Sequence, residues 1–257
     1  MMEKEICWNI TARCNQSCKY CHRFLNIKDL SYEKNLSILN NLEKSGITSI
    51  TWTGGEALLL NGIDNLLECS YKKGIKNKII TNGKLLTKER IDRIYKYLDS
   101  ITLSIDSVDN NINYFLGRGT NHFREIKDIL DYIKEKKYNI KIRINSVVCK
   151  NNLNNFNDLI AFLNKYDIYS WRIFKFMPLR EKAVINKEQF DVTMDEYSRV
   201  VKIIKQQSKI KNIDTRIEDD MEKKYILILA NGDIVITNNG QDEKVGNALI
   251  DCMEKYI

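Results

Sequence analysis

Histidine and proline are almost absent from this 257-residue sequence, which has two of the first and one of the second. Two histidines, His22 and His122, are too few to suggest an acid–base pair, so any general base has to be a carboxylate, a lysine or a tyrosine. Both are expected as solvated residues of a loop or a helix start. Also missing is any apolar run near the ~18 residues that span a bilayer. The opening MMEKEICWNITARC has neither the apolar core nor the cleavage site of a secretory signal. The expectation is a cytoplasmic protein with no membrane partner. Repeats, low-complexity tracts and linkers are missing too. With 43% hydrophobic and 29% charged residues, the chain has the balance of an ordinary globular protein.

Seven cysteines, an odd number, in a chain without a targeting segment argue against a disulfide framework. They favour reduced thiols, and three of them fall within eight residues. The other four, Cys7, Cys69, Cys149 and Cys252, sit singly on apolar patterns and are expected to be small core residues. The net charge of +7 could attract a nucleotide, an acidic peptide or nucleic acid. The lysines are spread along the whole chain, however, in a sequence equally heavy in asparagine and isoleucine. There is no nucleic-acid motif and no basic stripe interleaved with aromatics, so nucleic acid is not an expected partner.

Short β-branched runs near residues 5–11, 47–53, 76–81, 99–105, 139–148 and 169–176 alternate with stretches of helical period near 31–45, 61–73, 87–97, 121–137 and 153–166. Strand following helix in this way implies parallel βαβ units. Six units fall short of the eight that close a full barrel, so the reading is an α/β open partial (β/α)6 barrel. It occupies residues 1–190. A small C-terminal α/β extension, residues 191–257, follows with a helix at 193–208 and short strands at 213–217, 224–229 and 232–237. An Asn231-Gly232 turn joins the last two.

Chemistry concentrates in TARCNQSCKYCHR, where Cys14, Cys18 and Cys21 stand at C-x3-C-x2-C directly after the first strand. Three thiolates on a short loop can hold three irons of a cubane cluster and leave the fourth open for reaction. A structural zinc would want a fourth ligand, and the nearby His22 is adjacent to Cys21 and badly placed to share its tetrahedron. A second segment, ITWTGGEALL, puts Gly54, Gly55 and Glu56 after the second strand, where glycines let backbone approach a ligand. Asn82, Ser104, Asp106, Asn145, Arg172 and Lys175 stand where further strands should end, the face on which barrel enzymes gather their active sites.

The cysteine motif after the first strand resembles the signature of the radical S-adenosylmethionine (SAM) superfamily. The resemblance implies a 4Fe-4S cluster on Cys14, Cys18 and Cys21, SAM on the open iron, and reductive cleavage to a 5'-deoxyadenosyl radical that takes hydrogen from a substrate. It also implies an electron donor such as flavodoxin or ferredoxin. Tyr20 matches the aromatic residue that commonly precedes the third cysteine, Gly54, Gly55 and Glu56 the segment that meets the SAM amino group, and Asn82, Ser104 and Asn145 positions near SAM. A barrel that had lost its chemistry should first have lost a cysteine or the GGE, and both are intact.

Within the superfamily, ITLSIDSVDNNINYFLGRG, IRINSVVCKNN, WRIFKF and DDMEKKYILILANGDI resemble the viperin-like nucleotide dehydratases through most of the chain. That resemblance implies Arg118 at the SAM carboxylate and Arg143, Arg172 and Lys175 toward a ribonucleoside triphosphate. The implied reaction is dehydration of the ribose to a 3'-deoxy-3',4'-didehydro nucleotide, in antiviral defence. The chain departs from the pattern at Ala57 (usually Pro), Ser170 (an Arg before the Trp) and Lys175 (Gln). It departs again at Ile257, where the sequence stops about where the family's C-terminal segment, which closes over the nucleotide with a tyrosine, should continue; Tyr256 is the one candidate to stand in for that residue. FMPLREKA and NGDIVITNNG are similar to cyclases and peptide-modifying members, so action on a peptide, a protein or another small molecule stays open. Only Cys149 and Cys252 lie beyond residue 100, which argues against extra clusters.

Overall fold

The structure, a computed structural model, describes residues 3–221, 226–238 and 241–256. Its strands alternate with a period of two, and the two sides have different chemistry. In β1 (Glu5–Thr11) Ile6, Trp8 and Ile10 are fully buried, while Cys7 and Asn9 are half-buried on the other side. The same alternation runs through β2 (Ser49–Gly54), β3 (Lys76–Thr81), β5 (Lys141–Val148) and β6 (Ser170–Lys175), with β4 (Ser100–Ser104) more deeply buried between them. The apolar set faces the helices and forms the main core, where the Trp8 and Trp52 rings stack 5.1 Å apart. The other set, rich in Thr, Asn, Lys and Arg, lines a concave inner face.

Helices α1 (Tyr32–Lys44), α2 (Ile63–Lys72), α3 (Lys88–Ile94), α4 (Asn110–Leu116), α5 (His122–Lys136) and α6 (Phe156–Leu163) lie between these strands. α7 (Glu181–Ile185), α8 (Lys187–Phe190) and α9 (Met194–Gln207) follow β6. Start signals are the expected ones: Ser31 and Thr87 cap α1 and α3, and Thr193 with Glu196 forms a capping box on α9. Helices α4, α7 and α8 have no counterpart in the sequence reading: none exceeds seven residues, and unlike α3, which the turn Tyr95–Tyr97 prolongs, they show no period.

β1 to β6 run in order and parallel, and β7 (Ile213–Arg216) adds a seventh parallel strand beside β6. This strand was expected in the C-terminal extension; α9 instead acts as one more βα crossover. β8 (Leu227–Ile228) pairs in parallel with β1 at the opposite edge, and β9 (Asp233–Asn238) and β10 (Gln241–Asn247) continue antiparallel. The sheet is therefore one continuous ten-stranded surface, with residues beyond 190 on both of its edges. Residues 224 and 225 of the expected strand 224–229 and residues 239 and 240 of NGDIVITNNG lie outside the described residues. The Asn231-Gly232 turn is present, with Gly232 at φ +86°. The tail returns to α1, where Asn41 donates to the carbonyls of Ala248 and Asp251 at 2.9 and 2.6 Å.

Candidate functional site

The inner face encloses two chambers, one at each end of the parallel strands. The upper, 320 Å³, opens at the C-terminal ends and is lined by Cys14, Cys18, Cys21, Tyr20, Gly54, Gly55, Glu56, Asn82, Ser104, Arg118, Asn145, Arg172 and Lys175. The lower, 430 Å³, is lined by Lys78, Arg143, Ser170, Lys211, Glu5 and Asp214 among others. Ile80, Asn145 and Arg172 border both. Of the fourteen site residues expected from sequence, thirteen line the upper chamber, Asn145 and Arg172 among them at the junction, and Arg143 lines only the lower. Arg143 lies below because it points inward two residues before Asn145 on the same strand.

The cysteine loop is gripped from both sides by glycines. Gly55 N–H donates to Thr11 O at 2.7 Å and Glu56 N–H to Arg13 O at 2.8 Å. A Cβ on Gly54 would stand 2.3 Å from Thr11 O, and one on Gly55 2.1 Å from Arg13 O. Gly117, ending α4 at φ +84°, would place its Cβ 2.4 Å from Ser17 O. The Ser17 and Lys19 amides donate to the carbonyls of Gly117 and Leu116 at 3.1 and 3.0 Å. These glycines hold the loop as well as opening space beside it.

Two buried carboxylates tie the loop to the strand ends. Glu56, 1% exposed, accepts from Thr81 Oγ1 at 2.7 Å, Asn82 N–H at 2.8 Å and Leu58 N–H at 3.2 Å. Burial raises its pKa, against the pull of these donors. Asp106 accepts from the Tyr20 hydroxyl, from Arg118 Nε at 2.5 Å and from Val147 N–H at 2.7 Å. Arg118 is desolvated, which disfavours its charge, but the Asp106 carboxylate outweighs this and raises its pKa well above the usual value. Sequence reading noted Asp106 only as a strand-end residue; it is the hub of this network.

A relay of polar contacts runs on from Arg118. Its Nη1 donates to Gln16 Oε1 at 3.4 Å, Gln16 Nε2 meets His122 Nδ1 at 3.3 Å, and His122 Nε2 meets Ser104 O at 2.9 Å. A carbonyl only accepts, so Nε2 carries the imidazole proton and Nδ1 accepts from Gln16. His122 is fully buried, contrary to the expected solvated helix start. Burial, together with the Arg118 cation, lowers its pKa to about 3. His22 lines the upper chamber. Cys7 also faces this chamber rather than the core, and Cys252 is exposed, because strand alternation and the tail turn them away from apolar neighbours. Tyr256 lies off the chamber, donating to Val245 O at 3.0 Å.

The three motif cysteines are free. Desolvation raises the pKa of Cys14, and that of Cys18 to about 11; in the metal-free chain these two thiols keep their protons, and iron has to displace them. Asn82 Nδ2 reaches toward Cys14 Sγ at 3.8 Å. Among the described residues no three His, Cys, Asp or Glu side chains converge on a single metal ion. A cubane takes one thiolate per iron, so three separated thiols around one chamber suit it better than they suit a mononuclear site.

The lower chamber is cationic. Lys78, missed in the sequence because it falls mid-strand, points inward and pairs with Glu5 at 2.8 Å. Arg143 stacks over the Tyr169 ring at 4.9 Å, and Arg172 pairs with Asp214 at 2.7 Å. Lys175, at the upper chamber, pairs with Asp191 at 3.0 Å.

The sequence profile of the radical SAM superfamily matches residues 8–163, and the chain belongs to that superfamily. It is 30% identical over 237 residues to the S-adenosylmethionine-dependent nucleotide dehydratase of Flammeovirga pacifica, covering 88% of this chain and 80% of that one. It is 27% identical over 228 residues to the protein of the same name from Lacinutrix mariniflava, covering 84% of this chain and 46% of that one. Among solved structures it is similar to Streptococcus suis SuiB bound to S-adenosylmethionine, with a TM-score of 0.74 and 21% identity over 98% of this chain and 64% of that one. It thus spans under half of the Lacinutrix protein and under two thirds of SuiB. At that identity the likeness to SuiB concerns the fold. The chain is an enzyme of the radical SAM class, whose members use SAM with an iron–sulfur cluster.

Proposed function

We propose that Cys14, Cys18 and Cys21 bind a 4Fe-4S cluster and that the chain dehydrates a ribonucleoside triphosphate in the manner of viperin-like enzymes. The bound cluster and SAM supply one-electron cleavage to a 5'-deoxyadenosyl radical, which abstracts hydrogen. This chain's residues position the reactants. Gly54, Gly55 and Asn82 border SAM, with Ser104, Asn145 and Arg118 nearby; Glu56 and Asp106 keep their carboxylates on protein donors and so hold the walls rather than the ligand. Tyr20, bonded to Asp106, fixes the third cysteine's approach.

The observation that carries the nucleotide reading is that the two chambers share Ile80, Asn145 and Arg172 as lining residues, with the cations of the lower one beyond them. A nucleoside portion beside SAM would direct its phosphates toward Arg172, Arg143 and Lys78. Guanidinium forks suit phosphate oxygens, and Lys78 on β3 supplies a cation where Ser170 on β6 lacks one. The names of the sequence relatives support the same reading. Loss of water from the ribose is the expected outcome, and antiviral defence the setting. Among the described residues no helix is long and apolar enough to cross a membrane.

The test is anaerobic reconstitution, reductant and SAM, with 5'-deoxyadenosine quantified by mass spectrometry in the presence of each common ribonucleoside triphosphate. Strong stimulation by one nucleotide and a product lighter by one water are expected. Cleavage indifferent to every nucleotide would redirect the reading to peptides or other small molecules, and absence of cleavage with a verified cluster would overturn the assignment of the site.

A further inference from the structure

The sulfurs of Cys14 and Cys18 are not held alike. Cys14 Sγ accepts from two N–H groups, the backbone of Gln16 at 3.4 Å and the side-chain amide of Asn82 at 3.8 Å. Cys18 Sγ instead faces an acceptor, Gln16 Oε1 at 3.8 Å, to which its thiol donates. That Gln16 atom also receives Arg118 Nη1, which can only donate, so it is the amide oxygen.

The orientation of the Asn82 amide is dictated from both ends. Its Oδ1 accepts from Lys84 N–H at 3.0 Å in an Asx turn. A backbone N–H can only donate, so the oxygen lies on that side and Nδ2 on the other. One Nδ2 proton goes to Asn15 Oδ1 at 2.8 Å, and the second is left for Cys14 Sγ. The backbone N–H of Asn82 donates to the buried Glu56 carboxylate at 2.8 Å, which fixes the residue to the end of β3. At 7% exposure it has little water to turn toward. Both amide protons are thus taken by the protein, and what remains for a ligand is a lone pair on Oδ1.

Hydrogen bonds to cysteine sulfurs help to set the reduction potential of an iron–sulfur cluster. An N–H beside a thiolate stabilises the negative charge on the sulfur, and that charge grows when the cluster takes up an electron. We propose that Asn82 tunes the cluster held by Cys14, Cys18 and Cys21: its side-chain N–H, aimed at Cys14 Sγ, favours the reduced state. Asn82 is a positioning residue, acting through Cys14. The inference rests on the assignment of the cluster to these cysteines and is independent of the nucleotide reading.

Reconstituted protein is titrated potentiometrically with dye mediators, without SAM or nucleotide. The reduced cluster is counted by electron paramagnetic resonance, and iron and sulfide content are measured alongside. Asn82→Ala is expected to cut the ratio of reduced to oxidised cluster at a fixed potential roughly tenfold, which for one electron is a midpoint about 59 mV lower. Asn82→Asp, of the same shape but with an oxygen in place of the N–H, should lie lower still. Ser104→Ala, in the same chamber and with no side-chain bond to a cysteine, should keep the midpoint of the unaltered protein. The proposal is overturned by an unchanged midpoint in Asn82→Ala with full iron content, by a raised midpoint in Asn82→Asp, or by an equal shift in Ser104→Ala. Loss of the cluster in both Asn82 variants would overturn it too, making Asn82 a residue that only holds the loop. Failure of the cluster assignment would look different: the unaltered protein would show no four-iron signal, or Cys14→Ala would keep its full iron content.

Discussion

The two chambers hold their charges differently. In the upper, the ionic groups nearest the cysteine loop are buried and committed to fixed partners: Asp106 to Tyr20, Arg118 and Val147, Glu56 to Thr81, Asn82 and Leu58. In the lower, the Arg172–Asp214 pair is about a third exposed on each side, at 33% and 34%. Ion pairs of the first kind define a shape and are costly to break, whereas the second kind exchange readily with solvent or ligand. On the proposed function, the upper chamber positions a cofactor and the lower attracts charge. Removing one cation from each puts this contrast to the test. Arg118→Met, leaving Asp106 buried without its cation, should cost about 3–5 kcal/mol, and Arg172→Met no more than about 1 kcal/mol. Urea unfolding of the metal-free chain measures both, and equal losses would erase the distinction.

Acid should find the same weak point. His122 is neutral in the folded chain, with a pKa lowered to about 3 from 6.5, so the unfolded chain takes up its proton first as pH falls. Its cost is absent above pH 6.5 and grows below it, by about 1.4 kcal/mol per unit, until the folded pKa near 3. Between pH 6.5 and 5 this amounts to about 2 kcal/mol. His122→Gln, which keeps a donor for Ser104 O, should show a shallower loss over that window. Parallel pH profiles for the two proteins would mean the imidazole is not shielded.

Smaller in stability, but sharper in what it touches, is the loop's glycine grip. Gly54 and Gly74 both have positive φ, +128° and +75°, yet a Cβ meets Thr11 O at 2.3 Å in the first case and nothing within 4 Å in the second. Alanine at Gly74 should cost about 1 kcal/mol and leave reconstituted iron content unchanged. At Gly54 it should displace the start of the cysteine loop and lower iron retention measurably. Iron content that falls equally in both would remove the grip from the account.

Much of the upper chamber was legible because its parts come as short motifs. The cysteine spacing, the GGE and the glycine–arginine–glycine each require a particular residue for a local reason, whether a thiolate, a close backbone approach or a left-handed turn. Six strand–helix units were readable from period alone. What escaped is what topology assembles. Gln16, Asp106 and His122 are scattered in sequence and meet only because β4, α5 and the cysteine loop converge. His122 looked solvated because two histidines in a polar chain carry no pattern. β7 was read as part of an extension because a four-residue strand cannot announce its neighbour, and α4, α7 and α8 are too short to show a helical stripe.

Lys78 belongs with these, since an inward lysine in mid-strand looks like any surface lysine until the sheet curls. It gives the finest test of the contrast between chambers. Its side chain is 14% exposed and its ammonium is bonded to Glu5 and Glu3 at 2.8 and 3.2 Å, acids that a phosphate could displace as partners. Lys78→Met and Arg143→Met should change urea stability by no more than about 1 kcal/mol, yet each should raise the nucleotide concentration for half-maximal 5'-deoxyadenosine formation roughly tenfold, the worth of one charge-assisted hydrogen bond. The maximal rate should stay nearly constant, because the residues proposed to hold the cluster and SAM line the other chamber. A fall in maximal rate with unchanged half-saturation would place the phosphates elsewhere, since a residue that only shapes the barrel would alter the chemistry without altering the affinity for charge.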